Sequence, residues 1–415
     1  MPNNEPLLTD VGVLALVPDR WHLQWQPRHQ VLTRLAHYFW VVWMNPPEPL
    51  QRSLLLSMLR SRVENRPVRE KGFIVHNPSP FLPQTYSPRW LAELTLRRRL
   101  QNARRVLLRR GCAKTVLYLW RPEFAGTLQR LPVDLSCYHI DDEYSFSTVE
   151  LPILETEAQL IANVDQVFIH SRALLEKKGG INPHTTFVPN GVDFEAYSLP
   201  VPEPADLSNI PRPRVGYSGF IKRQLNWPLL VELTAQHPEW SFVFVGARSP
   251  HPEVATYLQE LGRHKNVWFL GAKTAEELAA YPQHFDVCIM PYRVDDYTKY
   301  IYPLKLHEYL AAGRPTVGAP IRSLLEFADV IALPATTEEW SRAIRDALAT
   351  DTEDLRTKRQ AVARRHDWQL VVRRIAETIA QRLGPGYSSR LEMALARESD
   401  AGSPDNFTSG RLMDQ

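Results

Sequence analysis

The stretch TKYIYPLKLHEYLAAGRPTV, residues 298–317, follows the apolar run DVCIMPY at 286–292, and together they read as strand, helix, strand. DVCIMPY is short, β-rich and closed by a proline, as a buried strand is. Pro303 suits a first helical position, Leu304 to Ala312 carries helical spacing, and Gly313 with Pro315 ends the helix and feeds PTVGAP at 315. A strand returned by a helix to a second strand makes a parallel unit, covered on both faces.

The same alternation extends outward. RVGYSGF at 214, SFVFVG at 241, NVWFLG at 266 and VIALP at 330 complete one set of strands, with helical segments at Trp227 to Gln236, Glu253 to Gly262 and Thr274 to Tyr281. Upstream lies a second set: VGVLALV at 11, WVVWM at 40, GFIV at 72, TVLYLW at 115, SCYHI at 136, QVFIH at 166 and TTFVP at 185, again with amphipathic helices between most of them. The stretch YSLPVPEPADLSNIPRPR after Asn190-Gly191 is dense in proline and reads as a linker. The expected fold class is therefore α/β, with two Rossmann-like doubly wound domains facing across a cleft. Residues 1–200 form the N-terminal domain and 201–367 the C-terminal one. Residues 368–384 form a helix that packs back on the first domain, and the polar tail 385–415 is expected to be disordered.

The chain has 415 residues, 44% hydrophobic and 23% charged, with a net charge of +3, so it can fill ordinary cores and shows no global nucleic-acid signature. The charge is uneven: between Gln51 and Arg110 stand 14 Lys/Arg and 3 Asp/Glu, an excess of +11. The three cysteines, Cys112, Cys137 and Cys288, form no C-x-x-C pair, which points to neither a zinc ribbon nor a disulfide framework and fits a reducing cytoplasm. The opening MPNNEPLLTDVGVLALVPDR lacks a basic n-region and reads as a first strand, and no apolar run reaches the roughly 18 residues of a membrane-spanning helix.

Chemistry concentrates in residues 298–317. A helix start offers unpartnered amide N–H groups and a positive dipole end, the natural seat of a phosphate. Lys305 adds a cation there, and Glu308, nearly on the same face, can accept hydrogen bonds from two neighbouring ribose hydroxyls. A solvated i, i+3 pair on a capped surface helix fits the same spacing.

This block, with FDVCIMPY at 285–292, resembles the donor site of GT-B glycosyltransferases, in particular the GT4-like group and the bacterial teichuronic-acid and exopolysaccharide transferases. Further matching pieces are WQPRHQVLTRLA at 25, VPNGVDFEAY at 188, RVGYSGFIKR at 214, FVFVG at 242 and NVWFLGAKTAEELAAY at 266, so the resemblance covers about residues 10 to 380. It implies an enzyme that moves a sugar from a nucleotide diphosphate sugar to a hydroxyl of a glycan or lipid-linked acceptor, without a cofactor and without a metal. It places Glu308 on the ribose, and Lys305 with the Thr298 and Leu304 region near the diphosphate. The Gly219 turn, with Lys222 and Arg223, lies beside the pyrophosphate. Where many retaining relatives carry a Glu eight positions before the ribose Glu, this chain has Tyr300, so retention of configuration does not follow.

In the first domain His139, Asp141, Asp142 and Glu143 sit at a strand end, where ligands bind in such sheets. Adjacent carboxylates repel, which can raise one toward a useful general base; Asp141 and Asp142 are candidates to activate the acceptor hydroxyl, or else they cap the following segment. His139 is a candidate partner for the donor sugar or a buried structural histidine. Trp25 and Arg28 fit the acceptor side, Arg28 toward a phosphate and the tryptophans toward sugar faces, unless they are core. Asp141-Asp142 and Asp295-Asp296 also look like the acidic metal motif of the other main transferase fold, which two sheets in series argue against. The helix RWLAELTLRRRLQNARRVLLRRG, from Arg89, interleaves leucines with eight arginines and fits either an anionic membrane surface or a solvated face; no nucleic-acid motif accompanies it. The expected location is the cytoplasm, peripheral at the inner face of the membrane. A nucleotide-sugar epimerase and a catalytically silent binding subunit are the rival readings on the same fold.

Overall fold

The computed structural model describes residues 5–21, 25–47, 72–146 and 151–401. Its α/β architecture holds two sheets. The first has the order β3-β2-β1-β4-β5-β6-β7, from β1 (Leu8–Leu16), β2 (Phe39–Met44), β3 (Phe73–His76), β4 (Lys114–Leu119), β5 (Leu135–Ile140), β6 (Gln166–Ile169) and β7 (Thr185–Phe187). The second has the order β10-β9-β8-β11-β12, from β8 (Arg214–Ser218), β9 (Ser241–Val245), β10 (Val267–Gly271), β11 (Val287–Met290) and β12 (Thr316–Gly318). β1 is parallel to both neighbours, with Val13 opposite Val41 and Val116. In the second sheet β8 is parallel to β9 and to β11. Central strands such as β4, β8 and β11 are buried almost throughout, the pattern of sheets covered on both faces.

In the second sheet the winding reverses at β8: β9 and β10 follow on one side, β11 and β12 on the other. At such a reversal ligands bind outside the carboxyl ends of the strands, here β8 and β11. Gly219 and Tyr292 stand at those two ends. Contacts divide the chain into two compact units, one of Met1–His139, Gln159–Val167 and Val372–Gln415, the other of Ile140–Ala158 and Phe168–Val371.

Four local expectations change. VIALP at 330 forms no strand of the sheet; Ala332 makes only an isolated bridge with Val317, and Pro334 then withholds a donor. The proline-dense stretch after Gly191 does pack: Phe194–Ser198 is a helix, Leu207 and Ile210 are buried, and the Arg214 guanidinium donates to the carbonyls of both. Pro303 is the cap of its helix, in extended conformation, and the helix runs Leu304–Ala311. The tail expected to be disordered is helical over Pro385–Ala401, where Arg390 pairs with Asp10 and His37 with Glu398. Residues 402–415 lie outside the described residues. The helix Trp368–Leu383 buries Val372, Ile375, Ala376 and Ile379, and from Val372 onward the chain groups with the first unit.

Candidate donor site

The second unit gathers the donor candidates around one lysine. Lys305 occupies the first turn of the helix Leu304–Ala311, and that turn has no side-chain cap. The amides of Leu304 and Lys305 therefore point forward with no acceptor inside the helix. Lys305 is buried; its Nζ donates to the Tyr292 hydroxyl at 3.1 Å and lies 4.7 Å from the Tyr217 ring centre. Among the described residues no carboxylate comes within ion-pair distance of it. Gly219 ends β8 with φ +115°, and a Cβ there would stand 3.3 Å from the Lys305 Nζ. Behind it, a Cβ on Gly246 would fall 2.0 Å from the Gly219 carbonyl oxygen, so two glycines let the backbone approach the ammonium. The Tyr309 hydroxyl accepts the Ser218 amide at 2.8 Å and so ties the end of β8 to the same helix.

Lys222 brings a second cation to Tyr292, 5.6 Å from that ring centre, and among the described residues it too has no carboxylate within ion-pair distance. Burial, and then the charge of Lys305, push its ammonium down to about 8, while Asp142 pulls it partly back. Arg223, next in the chain, is exposed. Two cations held together, with no carboxylate among the described residues at ion-pair distance from either, form a site suited to an anion. Because the free protein releases the Lys222 proton near pH 8 and a bound anion favours the charged form, affinity for a nucleoside diphosphate should fall as the pH rises through about 8. Titrations with UDP at pH 7 and pH 9 check this, with about a tenfold loss per pH unit as the ceiling for one proton. Lys222→Met should flatten the profile.

Glu308 lies one turn beyond Lys305. Burial pushes its carboxyl up, while Lys305 and a hydrogen bond with the Tyr197 hydroxyl hold it back. Glu308 as a residue is half-buried. The opposite side of the helix is fixed in the core, where His307 accepts or donates with the Tyr302 hydroxyl at 2.9 Å and stacks on His366 at 4.0 Å. Thr298 has another place than that of a phosphate donor: its amide donates to the Asp295 carboxylate at 2.8 Å and its hydroxyl accepts the Asp295 amide at 3.0 Å. It closes the loop, and Asp295 is spent in the same turn. Asp296 stands 3.7 Å from Lys299, and among the described residues no group of three or more His, Cys, Asp or Glu side chains is placed to hold a metal ion.

The acidic turn Asp141-Asp142-Glu143 belongs to the same unit, and its carboxylates are separated by different partners. Asp141 accepts from the Tyr144 hydroxyl. Asp142 accepts the Glu143 amide at 2.8 Å and the Tyr297 hydroxyl at 3.5 Å. Glu143 is buried; burial alone would raise its carboxyl, but Ser145, Lys178 and Lys177 outweigh it and hold it below the usual range. The expected mutual repulsion is thus relieved at Glu143. Tyr297 also packs on Phe146 at 5.2 Å, so the acidic turn and the loop before the Lys305 helix are joined by one aromatic side chain.

His139, Trp25 and Arg28 lie in the first unit. His139 is buried, stacked on Trp120 at 4.2 Å, with its Nδ1 2.9 Å from the Tyr118 hydroxyl. Arg28 is buried and paired with Asp19. Trp25 is partly exposed and stacks on His29 at 5.7 Å, beside Trp21, which packs on Trp43 and Phe73. Of the basic segment, residues 51–71 lie outside the described residues, and Arg89–Leu108 is one helix.

Four tyrosines, Tyr197, Tyr217, Tyr292 and Tyr297, were not singled out from the sequence. Tyr197 and Tyr292 close the quoted pieces VPNGVDFEAY and FDVCIMPY, which was their only signal.

Residues 225–351 match the family model described as glycosyl transferases group 1. A Bacillus subtilis (strain 168) protein named TuaH, described as a teichuronic acid biosynthesis glycosyltransferase, is 34% identical over 179 residues, covering 41% of this chain; the match spans 44% of that relative's length. Among solved structures, the trehalose-6-phosphate protein of E. coli bound with UDP-2-fluoro glucose superposes with a TM-score of 0.58 at 14% identity, covering 93% of this chain and 98% of that one. The lipopolysaccharide outer core galactosyltransferase WaaB gives 0.57 at 11% identity, covering 89% and 98%. At such identities the likeness is one of fold. The chain has the GT-B fold, and its residues 225–351, which hold the donor block, match the group 1 glycosyl transferase model, in agreement with the GT4-like resemblance of that block.

Proposed function

We propose that the protein transfers a sugar from a nucleotide diphosphate sugar to a hydroxyl of a glycan or lipid-linked acceptor, in cell-surface polysaccharide or glycolipid synthesis. The observation that carries this reading is the pair Lys305 and Lys222, held without a counterion around Tyr292 beside the Gly219 turn. In this reading the diphosphate takes the place of the missing counterion. The amides of Leu304 and Lys305 and both ammonium groups meet its oxygens, and Arg223 covers them from the exposed side. As the glycosidic bond to phosphate breaks, negative charge builds on the leaving diphosphate, where these groups already stand. Cations supplied by the chain support a metal-independent, cofactor-free transfer. Glu308 takes the ribose hydroxyls, with Tyr197 fixing its orientation. Asp142, with Asp141 beside it, accepts the proton of the acceptor hydroxyl.

The relative's name and the basic helix Arg89–Leu108 support an acceptor met at the inner face of a membrane, and a cytoplasmic, peripheral location. No helix among the described residues is long and apolar enough to cross a membrane.

The test is a titration of Glu308→Ala with UDP, GDP and ADP. Losing a bidentate carboxylate–diol contact should cost about 2 kcal/mol, close to 30-fold in affinity for the nucleotide the wild type prefers. Wild-type affinity in that variant would remove Glu308 from the site and the ribose assignment with it.

A further inference from the structure

The first unit holds a cavity of about 960 Å³ that none of the donor chemistry uses. Its wall is apolar: Leu16 and Met44 at the ends of β1 and β2, then Leu96, Leu100 and Phe124. Set into that wall is Arg99, only 6% exposed. One of its terminal nitrogens donates to the carbonyls of Leu82 and Pro83, at 3.3 and 2.8 Å, yet its Nε is buried with no acceptor. Among the described residues Arg99 has no carboxylate at ion-pair distance. Glu93, which also lines the cavity, is spent on Arg97 and Arg130, each at 2.6 Å, and Glu123 is at the exposed rim.

A buried guanidinium without a counterion is costly unless an anion completes it. An apolar wall around it selects an anion that carries hydrocarbon. The rim agrees: Tyr86 and Trp90 line the cavity while standing 79% and 68% exposed, and Arg89, also in the lining, has no ion-pair partner among the described residues. Exposed aromatics next to cations are the side chains that tolerate the boundary between water and lipid.

We propose that this cavity binds the phosphate end of a long-chain alkyl or prenyl phosphate, with the phosphate on Arg99, in the field of Arg89, and the first carbons against Leu96, Leu100 and Phe124. The lipid carrier of the acceptor is its natural source, and to that extent the assignment rests on the transferase reading; the binding itself does not.

The experiment uses the full chain, without nucleotide, and calorimetric titration with decyl phosphate below its micelle-forming concentration, against decanol and inorganic phosphate. Decyl phosphate should bind at least tenfold more tightly than either. Arg99→Met should lose that margin, and Arg89→Glu, an exposed change that leaves folding intact, should weaken decyl phosphate about fivefold without altering decanol. If Arg99→Met fails to fold, Arg89→Glu decides. Equal binding of decanol and decyl phosphate overturns the proposal, as does inorganic phosphate matching decyl phosphate, or no effect of the arginine changes. UDP titrated into the same samples reports the donor site separately, and both variants should retain wild-type UDP affinity.

Discussion

Lys305→Met should lower the affinity for the preferred nucleoside diphosphate by about 100-fold, close to 3 kcal/mol, as measured by calorimetric titration with UDP, GDP and ADP. The size follows from where the charge sits. A surface lysine facing a phosphate shares its field with water, and its removal costs a few tenths of a kcal/mol to about 1. Lys305 is buried, fixed by the Tyr292 hydroxyl at 3.1 Å, and stands at the uncapped start of a helix beside Gly219. Charge, dipole end and amides therefore act on the same oxygens, with little water between. Methionine keeps the length and apolar stem but removes the ion. The folded state loses no ion pair by this change, so the thermal midpoint should not fall. Lys305→Arg should recover only part of the affinity, because a planar fork has to fit where the small ammonium stands 3.3 Å from the space above Gly219. An affinity within threefold of wild type in the methionine variant would remove the phosphate site from this helix.

Lys178→Met should destabilise the fold by about 3–5 kcal/mol. Its ammonium lies 2.8 Å from one oxygen of Glu157 and 3.2 Å from one of Glu143, and the side chains of all three are fully buried. Methionine fills the space but takes the ammonium away from two buried carboxylates, while Lys177 stays 3.5 Å from Glu143. The expected readout is a lower urea midpoint at pH 7 with an unchanged slope. The deficit should shrink as the medium is acidified and the stranded carboxylates take up protons. In the wild type the sign is opposite. Glu143 is held below the usual carboxylate range, so its contribution is present above the unfolded value, about 4.3, and is lost as the pH falls through the lower folded value. Adding Glu157→Gln to Lys178→Met should restore part of the stability, since one buried charge is then gone. An equal loss in single and double variants would mean that packing, not charge, is at stake.

The network reaches beyond stability. Glu143 anchors the turn that carries Asp141 and Asp142, and Asp142 meets Tyr297 in the loop before the Lys305 helix. Glu143, which follows the two candidates Asp141 and Asp142 in the run of carboxylates, is thus a structural member, and its amide also holds Asp142. Nothing in the run Asp141-Asp142-Glu143 distinguishes the three, because their partners Tyr144, Tyr297 and Lys178 lie 3 to 155 positions away. The same holds for Thr298. The resemblance places it near the diphosphate, while the structure engages its amide and hydroxyl with Asp295, three residues back.

Determined by the sequence alone were the two-sheet α/β plan, the GT-B likeness and the placement of Lys305 and Glu308 near one helix start. The two-sheet plan rests on local periodicity, the GT-B likeness on the resemblance of the donor block to that family, and the placement of Lys305 and Glu308 on residues three positions apart, a spacing that survives any packing. Tertiary structure alone decided which charges are left without a partner. Lys305, Lys222 and Arg99 resemble any other basic residue in the chain, and Arg28, equally basic, turns out to be neutralised by Asp19. Whether a cation is spent or available depends on which carboxylates the fold brings within about 4 Å of it, a matter of long-range packing that no short stretch of sequence encodes.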